Sequence, residues 1–235
     1  VPPRRFYGRW KDFGPCYTRG ISEGNGNPPG KDMWLTYSMN KEDMWVSRVP
    51  TPVRYSINTP VNDHFNQLVR GKSIPDWNIY SPAWAPVTIA NFPSGSNKSL
   101  SLSDEDPYDY ARAIRVFKET TNGDIKCKVY AAQNNTGELS VDVTDRYGNR
   151  PVRISLNDKS EIVVQSGATT KVVKQYQPNT WYEFHITVNA SLNGFFNLSV
   201  NGDKVLTNAP LAEAVKSVER ISFRTGAYRN LPTRT

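Results

Sequence analysis

The stretch "GRWKDFGPCYTRGISEGNG" (residues 8–26) gathers side chains able to do chemistry within one short run. Arg19 offers a planar, permanently charged fork that matches a carboxylate at two points. Tyr17 and Glu23 can each give or take a proton. Asn25 adds a donor and an acceptor between two glycines, which let a backbone approach a ligand closely. Such a set suits an acidic sugar, with Arg19 on its carboxylate and Glu23 or Tyr17 as acid or base. The plainer reading pairs Arg19 with Glu23 at a strand end and lets Gly24 and Gly26 simply turn the chain. Local spacing leaves both open.

Two further groups carry candidate chemistry. In "DEDPYDY" the carboxylates of Asp104, Glu105, Asp106 and Asp109 crowd one loop, the usual source of oxygen ligands for calcium. Acidic residues before Pro107 are equally ordinary turn formers. Arg112, Lys126, Lys128, Tyr130, Asp142, Glu183 and His185 would form a polar, aromatic-dotted sheet surface for a sugar chain if their strands were neighbours. The alternative is the solvated face of an antiparallel sheet. Asn25, Arg112, Tyr130, Glu183 and His185 are therefore the expected substrate contacts. Six tryptophans could stack on sugar rings or fill a core; Trp77 and Trp84 are expected to pack between the main domain and the leading segment. Phosphate-cradling loops and dinucleotide fingerprints do not occur in the sequence.

The elements that must position these groups read as strands. Polar and apolar residues alternate, with Gly, Asn, Asp and Pro breaking the pattern about every 8 to 12 residues, the mark of an all-β sandwich or barrel. "ELSVDV" sets Leu139, Val141 and Val143 on one face, and "VRIS" with Leu156 does the same through Val152 and Ile154. "WYEFHITV" separates Tyr182, Phe184, Ile186 and Val188 from Trp181, Glu183, His185 and Thr187. "FFNLSVNG" buries Phe196, Leu198 and Val200 and turns at Asn201-Gly202, the strongest short hairpin signal. "DMWLTYSMNKEDMWVSRVP" predicts another hairpin turning near Asn40-Lys41-Glu42. Only "PLAEAVKS" (210–217) predicts a helix, with Pro210 at its start. Pro50, Pro52 and Pro60 stiffen a connector, which sets the expected domains at residues 1–52 and 53–235. Two or three leading strands cannot enclose a core alone, so they must join the sandwich or complete a sheet begun upstream.

A net charge of +7 over 235 residues is spread without a block of more than two basic residues. That distribution argues against nucleic acid and suits an acidic polysaccharide. Cys16 and Cys127 are expected to be free thiols, and two histidines cannot make a multi-histidine metal site. No apolar run reaches the roughly 20 residues of a membrane-spanning helix. A chain opening at Val1 is expected to be processed or partial.

"KDFGPCYTRGISEGNG" followed by "DMWLTYSMNKEDMWVSRVPTPV" resembles the end of the propeller in sialidase-like (BNR-repeat) proteins of polysaccharide-degrading bacteria. The run "DWNIYSPAWAPVTIANFPSGSNKSLSLSDEDPYDYARAIRVF" resembles the opening strands of a concanavalin- or laminin-G-like jelly roll. The Asp-box of the repeat, Ser-x-Asp-x-Gly-x-x-Trp, does not occur. The resemblance implies an all-β chain: an antiparallel jelly-roll sandwich preceded by strands that complete an upstream β-propeller. It further implies the C-terminal portion of a secreted, periplasmic or cell-surface glycoside hydrolase or polysaccharide lyase, inactive alone, whose sandwich binds glycan or acts as scaffold. Arg19, Glu23 and Tyr17 would be the catalytic rim of the parent's site, and Asp104, Asp106 and Asp109 would hold a structural calcium ion. A non-enzymatic glycan-binding or adhesion protein is the alternative.

Overall fold

The computed structural model describes residues 6, 8–11, 14–21, 32–50, 57–72, 74–106 and 109–226. Sixteen strands and a single 3-10 turn at Phe65–Gln67 make up its regular structure among these residues, an all-β fold as the alternating sequence predicts. The strands divide between two units: Val1–Ser56 with Arg229–Thr235, and Ile57–Tyr228.

In the first unit, β1 (Pro15–Ile21), β2 (Asp32–Met39) and β3 (Asp43–Pro50) form an antiparallel meander in that order. The β2–β3 hairpin turns where the sequence predicts it. Asn40 and Lys41 both take φ 55°, and Met39 pairs with Asp43. The Asn40 side chain accepts a 2.8 Å hydrogen bond from the Gly14 amide, which ties the turn to the start of β1.

The second unit is a two-sheet sandwich. Its strands are β4 (Trp77–Tyr80), β5 (Val87–Ala90), β6 (Ser99–Leu102), β7 (Arg112–Thr120), β8 (Asn122–Ala131) and β9 (Leu139–Thr144). There follow β10 (Val152–Leu156), β11 (Glu161–Ser166), β12 (Thr169–Gln175), β13 (Thr180–Asn189), β14 (Phe195–Val200), β15 (Asp203–Pro210) and β16 (Val218–Thr225). Seven strands align as β12-β11-β10-β9-β16-β7-β4 and four as β15-β14-β13-β8, while β5 and β6 form a separate ribbon. The inward halves of the alternating runs meet between the sheets. Val141, Val143, Val152, Ile154, Phe184, Ile186, Phe196, Leu198 and Val200 are buried in one cluster. Each such side chain contributes about 1.5–3 kcal/mol through removal from water. Between β14 and β15, Asn201 and Gly202 both adopt positive φ, 53° and 84°, in a two-residue turn, the geometry for which Asn-Gly is suited.

A second, smaller cluster holds Ala85, Val87, Ala111 and Ala113, with Trp77 packed against it. Trp77 also stacks near Phe65 and Phe223, at centroid distances of 5.7 and 6.1 Å. Its indole donates to Asp63, which in turn receives Arg115 through two bonds of 2.7 and 3.2 Å. This ion pair straps the segment before β4 to β7. Trp84 is 67% exposed, so the two tryptophans do not share a packing role.

The helix expected over 210–217 does not form. Pro210 ends β15, and residues 211–217 run as bends. An isolated run of eight residues gains too few helical bonds to offset its nucleation cost. Its polar groups find partners elsewhere: Leu211 donates to Gly194, and Ala212 donates to Pro151. Glu213 accepts from the Arg150 amide and the Arg153 guanidinium. Leu211 and Val215 are buried in the main core. Both cysteines are free thiols, as expected. Cys127 packs against the core, and burial, with a smaller contribution from Glu183, pushes its thiol up to about 12.

Candidate functional site

The outward halves of the alternating runs in the seven-stranded sheet are polar, and they are more buried than an outer sheet face ordinarily is. On β9, Val141 and Val143 point into the core while Ser140, Asp142 and Thr144 point outward, yet Asp142 is only 1% exposed and Ser140 4%. Ser222 and Arg224 on β16 behave likewise. Cross-strand register aligns these residues into rows. Ser155 of β10 lies opposite Ser140, Ser140 opposite Arg224, Arg224 opposite Arg112 of β7, and Arg112 opposite Tyr80 of β4. The next row runs Thr170, Gln165, Arg153, Asp142, Ser222.

Around the first part of these rows lies an open cleft of about 170 Å³, lined among others by Glu138, Ser140, Asp142, Arg150, Arg153 and Gln165. Its side chains are held by one another. Arg153 donates to Gln165 at 2.9 Å and to the Arg150 carbonyl at 3.1 Å, and its other arm pairs with Glu213. Arg150 reaches Asp142 at 3.4 Å. Such pre-set rotamers lower the ordering cost of binding. Burial raises the Glu138 carboxyl above the usual carboxylate range, opposed by its hydrogen bond with Ser155 and by the charge of Arg224.

At the other end of the first row, two guanidinium groups flank one aromatic ring. Arg224 lies 4.0 Å from the centroid of Tyr110, and Arg112 lies 5.9 Å from the same ring and 6.0 Å from Tyr80. The Tyr80 hydroxyl donates to Asp109 at 2.6 Å. Burial raises both partners, most strongly the Tyr80 phenol, so Tyr80 remains the donor. The whole face is thus a cation-rich, partly aromatic surface with fixed donors, able to hold hydroxyls and anionic groups of an extended ligand.

The residues singled out in sequence are distributed over three places. Arg112 belongs to the face just described, as does Asp142. Tyr130, Glu183 and His185 lie on the outer side of the four-stranded sheet, with Lys126 opposite His185, Lys128 opposite Glu183 and Tyr130 opposite Trp181. The single surface envisaged for all of them is therefore corrected to two. The reason is the corner at Thr121: β7 and β8 are consecutive in sequence but enter different sheets. Glu183 pairs with Lys128 at 3.3 Å and His185 with Asp124 at 2.9 Å, so each has a partner other than its neighbour.

Of the opening cluster, Glu23 and Asn25 lie outside the described residues. Arg19 is exposed on β1 opposite Thr36. Tyr17 is exposed at a bulge with φ 53°, and the Lys41 ammonium stands 5.5 Å from its ring.

The aspartate loop is internally bonded. Asp104 accepts from the Asp106 amide and the Thr225 hydroxyl, Asp106 from the Asp109 amide, and Asp109 from the Tyr110 amide and Tyr80. Among the described residues no three His, Cys, Asp or Glu side chains are grouped to hold a metal ion. These bonds tie Asp104, Asp106 and Asp109 to donors of the chain itself.

Arg150, Arg153, Ser155, Gln165 and Arg224 escape sequence reasoning. A usable signal was present: in "VRIS" and "ERISFR" the off-face positions are Arg and Ser at a strict period of two.

The family described as sialidase-like, CBM domain, matches residues 77–235. A solved structure named "Sialidase" shares 34% identity and superposes with a TM-score of 0.82, over 95% of this chain and 20% of that one. The chain thus spans a fifth of that protein's length. Alginate lyase Aly36B (12% identity, TM-score 0.41, 72% of this chain and 84% of that one) is a far weaker likeness. So is an endo-β-1,4-glucuronan lyase from the fungus Trichoderma reesei (8%, 0.32, 67% and 83%). At such TM-scores neither carries an argument. No curated protein matches. Through residues 77–235, the chain belongs to the sialidase-like CBM-domain family.

Proposed function

We propose that this chain is the carbohydrate-binding part of a longer glycan-active protein, and that the polar outer face of the seven-stranded sheet holds the glycan. The observation that carries the reading is the pair of rows Ser155–Ser140–Arg224–Arg112–Tyr80 and Thr170–Gln165–Arg153–Asp142–Ser222, of which Ser155, Ser140, Thr170, Gln165, Arg153 and Asp142 line one cleft. Family membership supports it. The basic balance of the chain favours an acidic polysaccharide.

In this reading the sandwich is a jelly roll, and the β1–β2–β3 meander supplies closing strands of an upstream propeller in the parent. Residues 1–52 and 53–235 are then the functional parts. Tyr17, Arg19, Glu23 and Asn25 would belong to the parent's site rather than to the sandwich. A hydrolase or lyase working outside the cytoplasm is the parent class that suits such a module. A non-enzymatic adhesion protein would use the same face without the chemistry, and the mass and activity of the full-length parent separate the two.

Binding is tested by affinity electrophoresis of the chain through gels containing neutral and acidic polysaccharides. Retardation that Arg153→Ala weakens and Lys128→Ala leaves unchanged is the expected result. No retardation in any gel, or retardation lost only with Lys128→Ala, would remove the face from consideration.

A further inference from the structure

Arg112 and Arg224 stand directly opposite each other on β7 and β16. Like charges in that relation destabilise a sheet, and the two are compensated differently. Arg224, 7% exposed, donates to the Gly226 carbonyl at 3.0 Å and feels the carboxylate of Glu138. Among the described residues the Arg112 cation lies beside Tyr80 and Tyr110, and its Nε is buried with no acceptor. Among the described residues no carboxylate pairs with it. A buried donor on a charged group without an acceptor is costly, so the site has a built-in demand for an anion.

The Tyr80 and Tyr110 rings, 5.0 Å apart, pack together against the fork. The row continues through Ser140 and Ser155 into the cleft, where the remainder of an extended ligand would lie.

We infer that Arg112, with Arg224 beside it, is the receptor for the carboxylate of a uronate-type sugar, the acidic residue of a polysaccharide whose neighbouring hydroxyls meet Ser140 and Ser155. A planar carboxylate matches a guanidinium fork at two points, whereas a lysine offers a single point charge. The inference rests on the proposed glycan-binding role of this face and adds the chemical class that it reads.

The probes are polygalacturonate, the same polymer fully methyl-esterified, and dextran sulfate, titrated by calorimetry into the chain and into Arg112→Ala and Arg112→Lys. Lys126→Ala, on the opposite sheet, serves as a charge-matched control. Folding is checked by melting temperature, and Arg112→Lys retains charge should Arg112→Ala fail to fold. The expected result is polygalacturonate binding, weakened at least about ten-fold by either Arg112 substitution, the gain of a charged bidentate bond. Esterification should weaken it similarly, and Lys126→Ala should leave it unchanged.

Equal affinity for the free and esterified polymers would overturn the carboxylate assignment while leaving the glycan-binding role intact. The carboxylate assignment falls equally if Arg112→Ala and Lys126→Ala weaken polygalacturonate and dextran sulfate alike, since that is general polyanion attraction. No binding to any probe, with no retardation by neutral glycans either, would overturn both readings together.

Discussion

At the scale of residues, burial moves two carboxyls at the polar face away from their ordinary titration range. Glu138 and Asp109 both have raised carboxyls, with desolvation as the main cause. The folded state therefore binds their protons more tightly than the unfolded chain does. Stability from this source is fully present below the ordinary carboxylate range and is lost as pH rises through the raised folded values. Glu138→Gln removes one part of that loss. Urea unfolding at about pH 4 and pH 7 should show a smaller difference between the two conditions in the variant than in the unaltered chain. An equal or larger difference would mean that burial does not raise the Glu138 carboxyl in the folded chain. Calcium makes a second test at this scale. The internal bonds of Asp104, Asp106 and Asp109 predict a melting temperature unchanged by calcium or by a chelator, whereas stabilisation by calcium would show that those bonds yield to the ion.

At the scale of elements, the strands whose apolar residues alternate without interruption were legible in sequence. For β13 and β14 the split between core and surface follows residue by residue, because one face of each is fully buried and register is then strongly specified. The turn at Asn201-Gly202 was legible because few residue pairs accept two consecutive positive φ values. The site was less so. Arg112 meets Arg224, and Asp142 meets both Arg153 and Ser222, through pairings across the sheet that no local pattern encodes. The segment 210–217 misled because its composition favours a helix, while Glu213 and the flanking amides are committed to β10 and to the loop before β14.

Substitutions at two joints test how elements are connected. A Cβ on Gly194 would stand 2.5 Å from the Asn189 carbonyl and 2.5 Å from Leu211. Gly194→Ala should cost about 1–3 kcal/mol in denaturant unfolding. Gly95→Ala, with nothing within 4 Å of the new methyl, should be close to neutral. Asp63→Ala leaves Arg115 without its carboxylate and should cost about 3 kcal/mol, much of it regained when Arg115→Met is added. Failure of the double variant to recover would place the strap's worth in Trp77 packing instead.

At the scale of the whole molecule, the net charge of +7 acts on any ligand before contact is made. Binding of an acidic polysaccharide should weaken as ionic strength rises from low to physiological, since the Debye length contracts to about 8 Å. Binding of a neutral glycan should hold, and calorimetry at two salt concentrations separates the cases. A salt-independent acidic ligand would point to local contacts in the cleft rather than to the field of the protein. The protonated Cys127 thiol has a different use. With its value pushed up to about 12, the thiolate that alkylating reagents require is scarce at neutral pH while β8 is paired with β13. Alkylation at this position must then wait for the sandwich to open. The pace at which Cys127 is modified becomes a clock for breathing of the fold, readable by mass spectrometry in the native protein and slowed by whatever ligand the sandwich binds.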